Sequence, residues 1–107
     1  MISQNFTLTR GDTLEFTITI EDTQTEPDEI TFTVVDSTVK KTPVIIKKLS
    51  EEEIVKTEDE GLVYRVFIET EDTDYLKLLN YYYQIELQFS DTVETVAEGK
   101  FVITPEV

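Results

Sequence analysis

The sequence predicts an all-β domain, a sandwich of about seven or eight short antiparallel strands. Three observations predict it. Apolar and polar residues alternate at period two along most of the chain, as in half-buried strands. Turn signals separate these stretches at short, regular intervals. No stretch carries a helical apolar period for more than a turn or two. A sandwich and a barrel share this pattern, and the corner before Tyr81 favours the sandwich.

That corner is Glu71-Asp72-Thr73-Asp74-Tyr75-Leu76-Lys77-Leu78-Leu79, a polar turn with a short apolar staple. It leads into Tyr81 to Phe89, where Tyr81, Tyr83, Ile85, Leu87 and Phe89 share one face. Tyr82, Gln84, Glu86 and Gln88 share the other. A corner followed by a tyrosine-rich strand resembles the corner of immunoglobulin-like sandwiches, where a Tyr hydroxyl bonds back to the backbone. The expected fold class is therefore an immunoglobulin-like β-sandwich with a short helical turn near 72–79.

The other elements follow the same logic. Phe6 to Thr9 alternates and ends at Arg10-Gly11-Asp12, a turn signal. Leu14, Phe16, Ile18 and Ile20 alternate with Thr13, Glu15, Thr17 and Thr19, the cleanest amphipathic strand of the chain. Glu21 to Glu29 is polar, contains Pro27 and reads as a loop. Ile30, Phe32 and Val34 resume the alternation, a second loop spans Asp36 to Pro43, and Val44-Ile45-Ile46 begins another strand. Ser50-Glu51-Glu52-Glu53 has an N-cap Ser with a Glu three residues on, enough for one helical turn. Leu62, Tyr64, Val66 and Ile68 share one strand face, and Val63, Arg65 and Phe67 the other. Ser90-Asp91-Thr92 turns the chain into Val93 to Ala97, Gly99 marks a bulge or bend, and Phe101 to Thr104 closes the fold.

Length and composition bound the function. The 107 residues make a single domain, 1–107, with one real core. No run approaches the roughly 18 apolar residues of a membrane helix. The N-terminus has neither a basic start nor a long apolar segment, so no secretory signal is expected. A net charge of −14 argues against nucleic acid and anionic lipid, whose phosphates need clustered Lys and Arg. It also gives a soluble, self-repelling surface. Four of the nine basic residues, Lys40, Lys41, Lys47 and Lys48, flank one apolar triplet. They read as a basic contact patch or as gatekeepers against edge pairing, and gatekeeping requires no partner.

Chemistry is excluded more than suggested. With no His and no Cys, Ser-His-Asp and Cys-His catalysis, disulfides, and imidazole or thiolate zinc sites are ruled out by composition. The three glycines stand alone, so no phosphate-binding loop exists. Among 23 acids a pair at glycosidase separation arises by chance, and such pairs work only inside a cleft. Glu69 to Asp74 and Glu58 to Gly61 offer oxygen donors for calcium, yet neither has the glycine-centred spacing of an EF-hand loop. The chain is expected to be non-enzymatic, with no catalytic residue, metal or cofactor. Tyr82 faces outward by parity, and one outward Tyr without Trp is a weak sugar platform. If strands 62–68 and 81–90 are neighbours, Val63, Arg65, Phe67 and Tyr82 form one partly apolar patch, a candidate protein interface.

In order, these pieces resemble the Ig-like N-terminal domains of phage baseplate upper proteins, found among tailed phages of Gram-positive bacteria and their prophages. The match starts with Phe6-Thr7-Leu8-Thr9-Arg10-Gly11-Asp12-Thr13-Leu14 and continues in Ile30 to Ser37 and Pro43-Val44-Ile45-Ile46-Lys47. Glu60-Gly61, Tyr64 to Ile68, Glu71-Asp72-Thr73 with Leu76, Tyr81 to Leu87, and Gly99 to Ile103 complete it. One departure is Leu78-Leu79-Asn80, where the family carries a Pro-Gly-type turn. A second is that the sequence stops at Val107, where the family continues into a helix. The resemblance implies a virion structural protein of baseplate or tail, made in the host cytoplasm and acting by protein–protein contacts. Its implied partners are other virion proteins and further copies of itself. A capsid decoration or head-fibre attachment domain and a carbohydrate-binding module are the alternatives.

Overall fold

A computed structural model describes residues 2–3, 5–20, 25–36, 42–57, 61–76 and 80–104. In chain order the strands are β1 Ile2–Ser3, β2 Phe6–Thr9, β3 Leu14–Ile20, β4 Glu29–Val35 and β5 Pro43–Lys48. Then come β6 Ile54–Lys56, β7 Leu62–Ile68, the one-turn helix α1 Thr70–Thr73, β8 Asn80–Gln88 and β9 Val93–Thr104. A six-stranded sheet runs β1-β9-β8-β4-β5, with β2 following β1 along β9. A three-stranded sheet, β3-β7-β6, faces it. The architecture is an immunoglobulin-like β-sandwich.

Period-two patterning decides which side chains fill the space between the sheets. Ile30, Phe32 and Val34 of β4, Tyr81, Tyr83, Ile85 and Leu87 of β8, and Leu62, Tyr64, Val66 and Ile68 of β7 are all buried. Rings from both sheets meet at the centre. Phe16 of β3 lies with its centroid 5.2 Å from Phe32 of β4 and 4.7 Å from Phe6 of β2. Phe32 in turn lies 5.7 Å from Tyr83 and 6.3 Å from Phe101. Most of these contacts are tilted or edge-on, the arrangements that aromatic quadrupoles favour.

Several local expectations are corrected. Not every strand pair is antiparallel: β1 and β2 both run parallel to β9, with Phe6 opposite Phe101. The expected helical turn is present as Thr70–Thr73, which overlaps 72–79 and starts ahead of it because Glu69 and Asp72 close a capping box at its start. The Glu69 N–H donates to Asp72 Oδ2 at 2.7 Å. Residues 77–79 lie outside the described residues. Ser50 is no N-cap but sits inside the 3-10 turn Leu49–Glu51, which ends where Glu52 turns left-handed at φ 62°. Gly99 continues regularly in β9 opposite Tyr83. The bulge falls at Val96, where Ile85 pairs with Ala97 and Glu86 with Thr95.

The corner between β7 and β8 is tied down from two sides. Thr73 is fully buried and its Oγ1 accepts the Gly11 N–H at 3.0 Å. Gly11 has φ +87°, a left-handed conformation that suits glycine and aims this N–H at the corner. On the other side the Tyr75 hydroxyl donates to the Val44 carbonyl of β5 at 2.7 Å.

Glu29 at the start of β4 fastens the 3-10 turn. Its Oε1 accepts the Ile30 N–H at 3.1 Å and the Ser50 N–H at 3.0 Å. Burial pushes its carboxyl up, but the hydrogen bonds from Ser50 and Ile30 and the nearby Lys48 outweigh that and hold it below the ordinary 4.5. A depressed carboxyl pKa contributes stability above the unfolded-state value and loses it as pH falls through the folded one. Glu29→Gln should therefore cost stability at neutral pH, with the gap to wild type closing in urea unfolding curves as pH falls below the ordinary 4.5 and through the lowered folded-state value. A gap independent of pH would mean the carboxylate charge has no part in fastening the turn.

Candidate functional site: the outer face of the six-stranded sheet

Ladder register places three rows of side chains across this outer face. In the first, Val35 lies between Pro43 and Tyr82, and Tyr82 lies opposite Lys100. In the second, Thr33 lies between Ile46 and Gln84, and Gln84 lies opposite Glu98. In the third, Thr31 lies between Lys48 and Glu86. A register shift between Val34 and Val35 makes Val44 the extra residue of β5, which seats Pro43 beside Val35. The first row, Thr33, Gln84 and Glu98 of the second, and Glu86 of the third line an open groove of about 620 Å³.

The groove has a graded character. Tyr82, Val35 and Pro43 give its apolar end, and Gln84, Glu86 and Glu98 its acidic end. The Gln84 amide donates to the Glu86 carboxylate, which fixes both side chains. At one wall Asn5 Oδ1 accepts the Lys100 backbone N–H at 2.9 Å and holds the two elements together. This is binding chemistry: aromatic surface, an amide, carboxylates and one ammonium. Among the described residues no three acids are arranged to hold a metal ion.

The sequence-predicted interface does not form as one surface. Val63, Arg65 and Phe67 face outward from β7 in the three-stranded sheet, while Tyr82 faces outward from β8 in the other. The two groups lie on opposite sides of the sandwich. Alternation fixes a residue's face but not the strand's neighbours, so the adjacency was not contained in the pattern. Arg65 is also engaged, its Nε 3.3 Å from Glu15 Oε1 across an exposed pair.

The lysine cluster is corrected as well. Lys47 is neither gatekeeper nor contact patch; it shares the inward face of β5 with Ile45 and is 7% exposed. Its Nζ lies 2.7 Å from Asp72 Oδ2 and 3.8 Å from Glu53 Oε2. The parity of Ile45 and Lys47 was the available signal. Lys40 and Lys41 lie outside the described residues.

No protein-family model matches the chain, and no curated protein matches it. Solved structures do. The Ig-like domain of mouse leukocyte-associated immunoglobulin-like receptor 1, a strand-swapped dimer, aligns with TM-score 0.57 at 8% identity, over 94% of this chain and 88% of that one. A structure of the same receptor's extracellular domain, again a strand-swapped dimer, aligns with TM-score 0.57 at 9% identity, over 96% and 82%. At such identity the likeness is one of fold.

Proposed function

We propose that this chain is a non-enzymatic structural module of a tailed-phage particle that binds other virion proteins through the outer face of its six-stranded sheet. The observation that carries the contact role is the Tyr82 groove. It joins a half-buried, outward-facing aromatic, a Pro–Val floor and oriented polar groups on paired strands, the composition of a protein contact rather than of a catalytic cleft. The virion assignment, to baseplate or tail and made in the host cytoplasm, is supported by the ordered resemblance from Phe6 to Ile103. Capsid decoration uses the same chemistry, and detecting the protein on tail-less heads by mass spectrometry separates the two locations.

Because Tyr82 and Phe67 point to opposite sides, one pair of variants tests the assignment. Tyr82→Ser should weaken capture of virion partners about tenfold, and Phe67→Ser should leave it near wild type. Wild-type capture by Tyr82→Ser would remove the groove from the interface. One feature favours a second reading, a glycan site: Tyr82 stands beside Gln84, Glu86 and Glu98, groups suited to sugar hydroxyls. Saturable titration with host wall polysaccharide, lost in Tyr82→Ser, would establish it.

A further inference from the structure

Each sheet edge of a sandwich is a row of unpaired backbone donors and acceptors, and among the described residues three of the four edges are blunted. The β1–β2 edge is interrupted at Asn5, which lies in no strand and turns its side chain to the Lys100 N–H. The β5 edge carries Pro43, Lys48 and the bulge opposite Val35. The β6 edge is only three residues long. The fourth edge, β3, has none of these devices. It is seven residues, Leu14-Glu15-Phe16-Thr17-Ile18-Thr19-Ile20, without Pro, Gly or Lys, paired in unbroken register to β7.

In a constant-type immunoglobulin sandwich the first strand pairs beside this second long strand. Here the first strands pair instead with β9, so among the described residues that seat is vacant. The vacancy shows in side-chain coverage. Leu14, Phe16 and Ile20 face the core yet stay half-buried, whereas all four inward residues of β7 are buried.

We propose that β3 is a self-association edge, pairing antiparallel with the β3 of a second copy to join two three-stranded sheets into one of six strands. The strand's own charge and register fit a second copy of itself. About a twofold axis at Thr17, Leu14 falls opposite the partner's Ile20 and Phe16 opposite the partner's Ile18. Glu15, the only charged residue of the strand, falls opposite the partner's Thr19, so no like charges meet. Thr17 meets the partner's Thr17, a favourable cross-strand pair. Each copy carries −14, so long-range repulsion opposes the pairing until salt screens it. This edge lies apart from the Tyr82 groove, so either assignment can fail while the other stands.

The test is sedimentation velocity over a concentration series at low and moderate salt, on wild type, Thr17→Glu and Thr17→Lys. Wild type should dimerise more tightly as ionic strength rises from roughly 0.01 to 0.15 M, where the screening length falls from about 30 to 8 Å. Each variant alone should self-associate about tenfold more weakly, because like charges then face each other at the axis. An equimolar mixture of the two should recover dimers. Circular dichroism confirms that each is folded. Independently of any variant, wild-type amides in 14–20 should gain hydrogen-exchange protection as concentration rises. A wild type that stays monomeric at its highest soluble concentration in moderate salt overturns the proposal. So does a dimer that neither variant weakens, or one in which protection falls on β1 and β2 instead.

Discussion

Phe32→Ala is expected to lower the unfolding free energy by about 3–5 kcal/mol. Phe32 has no exposed surface and stands where rings from both sheets converge, with Phe16 reaching it from β3. Truncation removes its transfer energy, opens a cavity between Phe16, Tyr83 and Phe101, and ends ring contacts, one edge-on and two tilted, worth about 0.5–1.5 kcal/mol each. Against a typical total of about 5–15 kcal/mol, that loss takes much of the domain's margin. Guanidinium unfolding followed by circular dichroism measures it. Thr31→Ala, outward on the same strand, should change stability by no more than about 0.5 kcal/mol. If Phe32→Ala costs under about 1 kcal/mol, the two sheets are not held together across this ring cluster.

The same residues show what a sequence can convey about such a fold. The inward faces of β4, β7 and β8 were legible because strands clothed by a core on one side carry an apolar residue at every second position, as Ile30 to Val34, Leu62 to Ile68 and Tyr81 to Leu87 do, and burial alternates with them. The corner was legible in kind, from its polar run and Leu76, which is buried. Sheet membership was not. Val63, Phe67 and Tyr82 each face outward from their own strand but belong to strands of different sheets, and no local signal distinguishes those arrangements. The parallel pairing of β2 with β9 joins residues some 95 positions apart, as between Thr9 and Thr104, beyond the reach of any window. The groove was invisible for that reason: Tyr82 was seen facing out, but Val35, Pro43 and Lys100 reach its side only through register.

Breaking the Lys47 ion pair should produce the second large loss. Lys47→Ala is expected to cost about 2–3 kcal/mol, below the roughly 3–5 kcal/mol of a fully buried pair because its partners retain some access to water. The Asp72 and Glu53 side chains are 20% and 32% exposed, against 9% for Lys47. Two effects combine in that figure, lost packing of the alkyl stem and two carboxylates left facing each other without their cation. Lys47→Met separates them, since it keeps the stem and removes only the charge. Asp72 does two jobs with one oxygen, pairing with Lys47 and capping α1 through the Glu69 N–H. Asp72→Asn keeps an acceptor for the cap and ends the ion pair, so a cycle of Lys47→Met with Asp72→Asn isolates the charge interaction. A coupling of about 1–2 kcal/mol is expected from unfolding curves, well above the few tenths seen for independent sites. The consequence reaches the groove. Lys47 pins the corner to β5, and from that corner Tyr75 donates to Val44, the extra residue that seats Pro43 beside Val35 and Tyr82. Lys47→Met should therefore weaken partner capture through Tyr82 even at temperatures where the variant is fully folded. Full capture with a coupling near zero would mean that packing alone holds the corner, and that the groove keeps its shape without the buried charge.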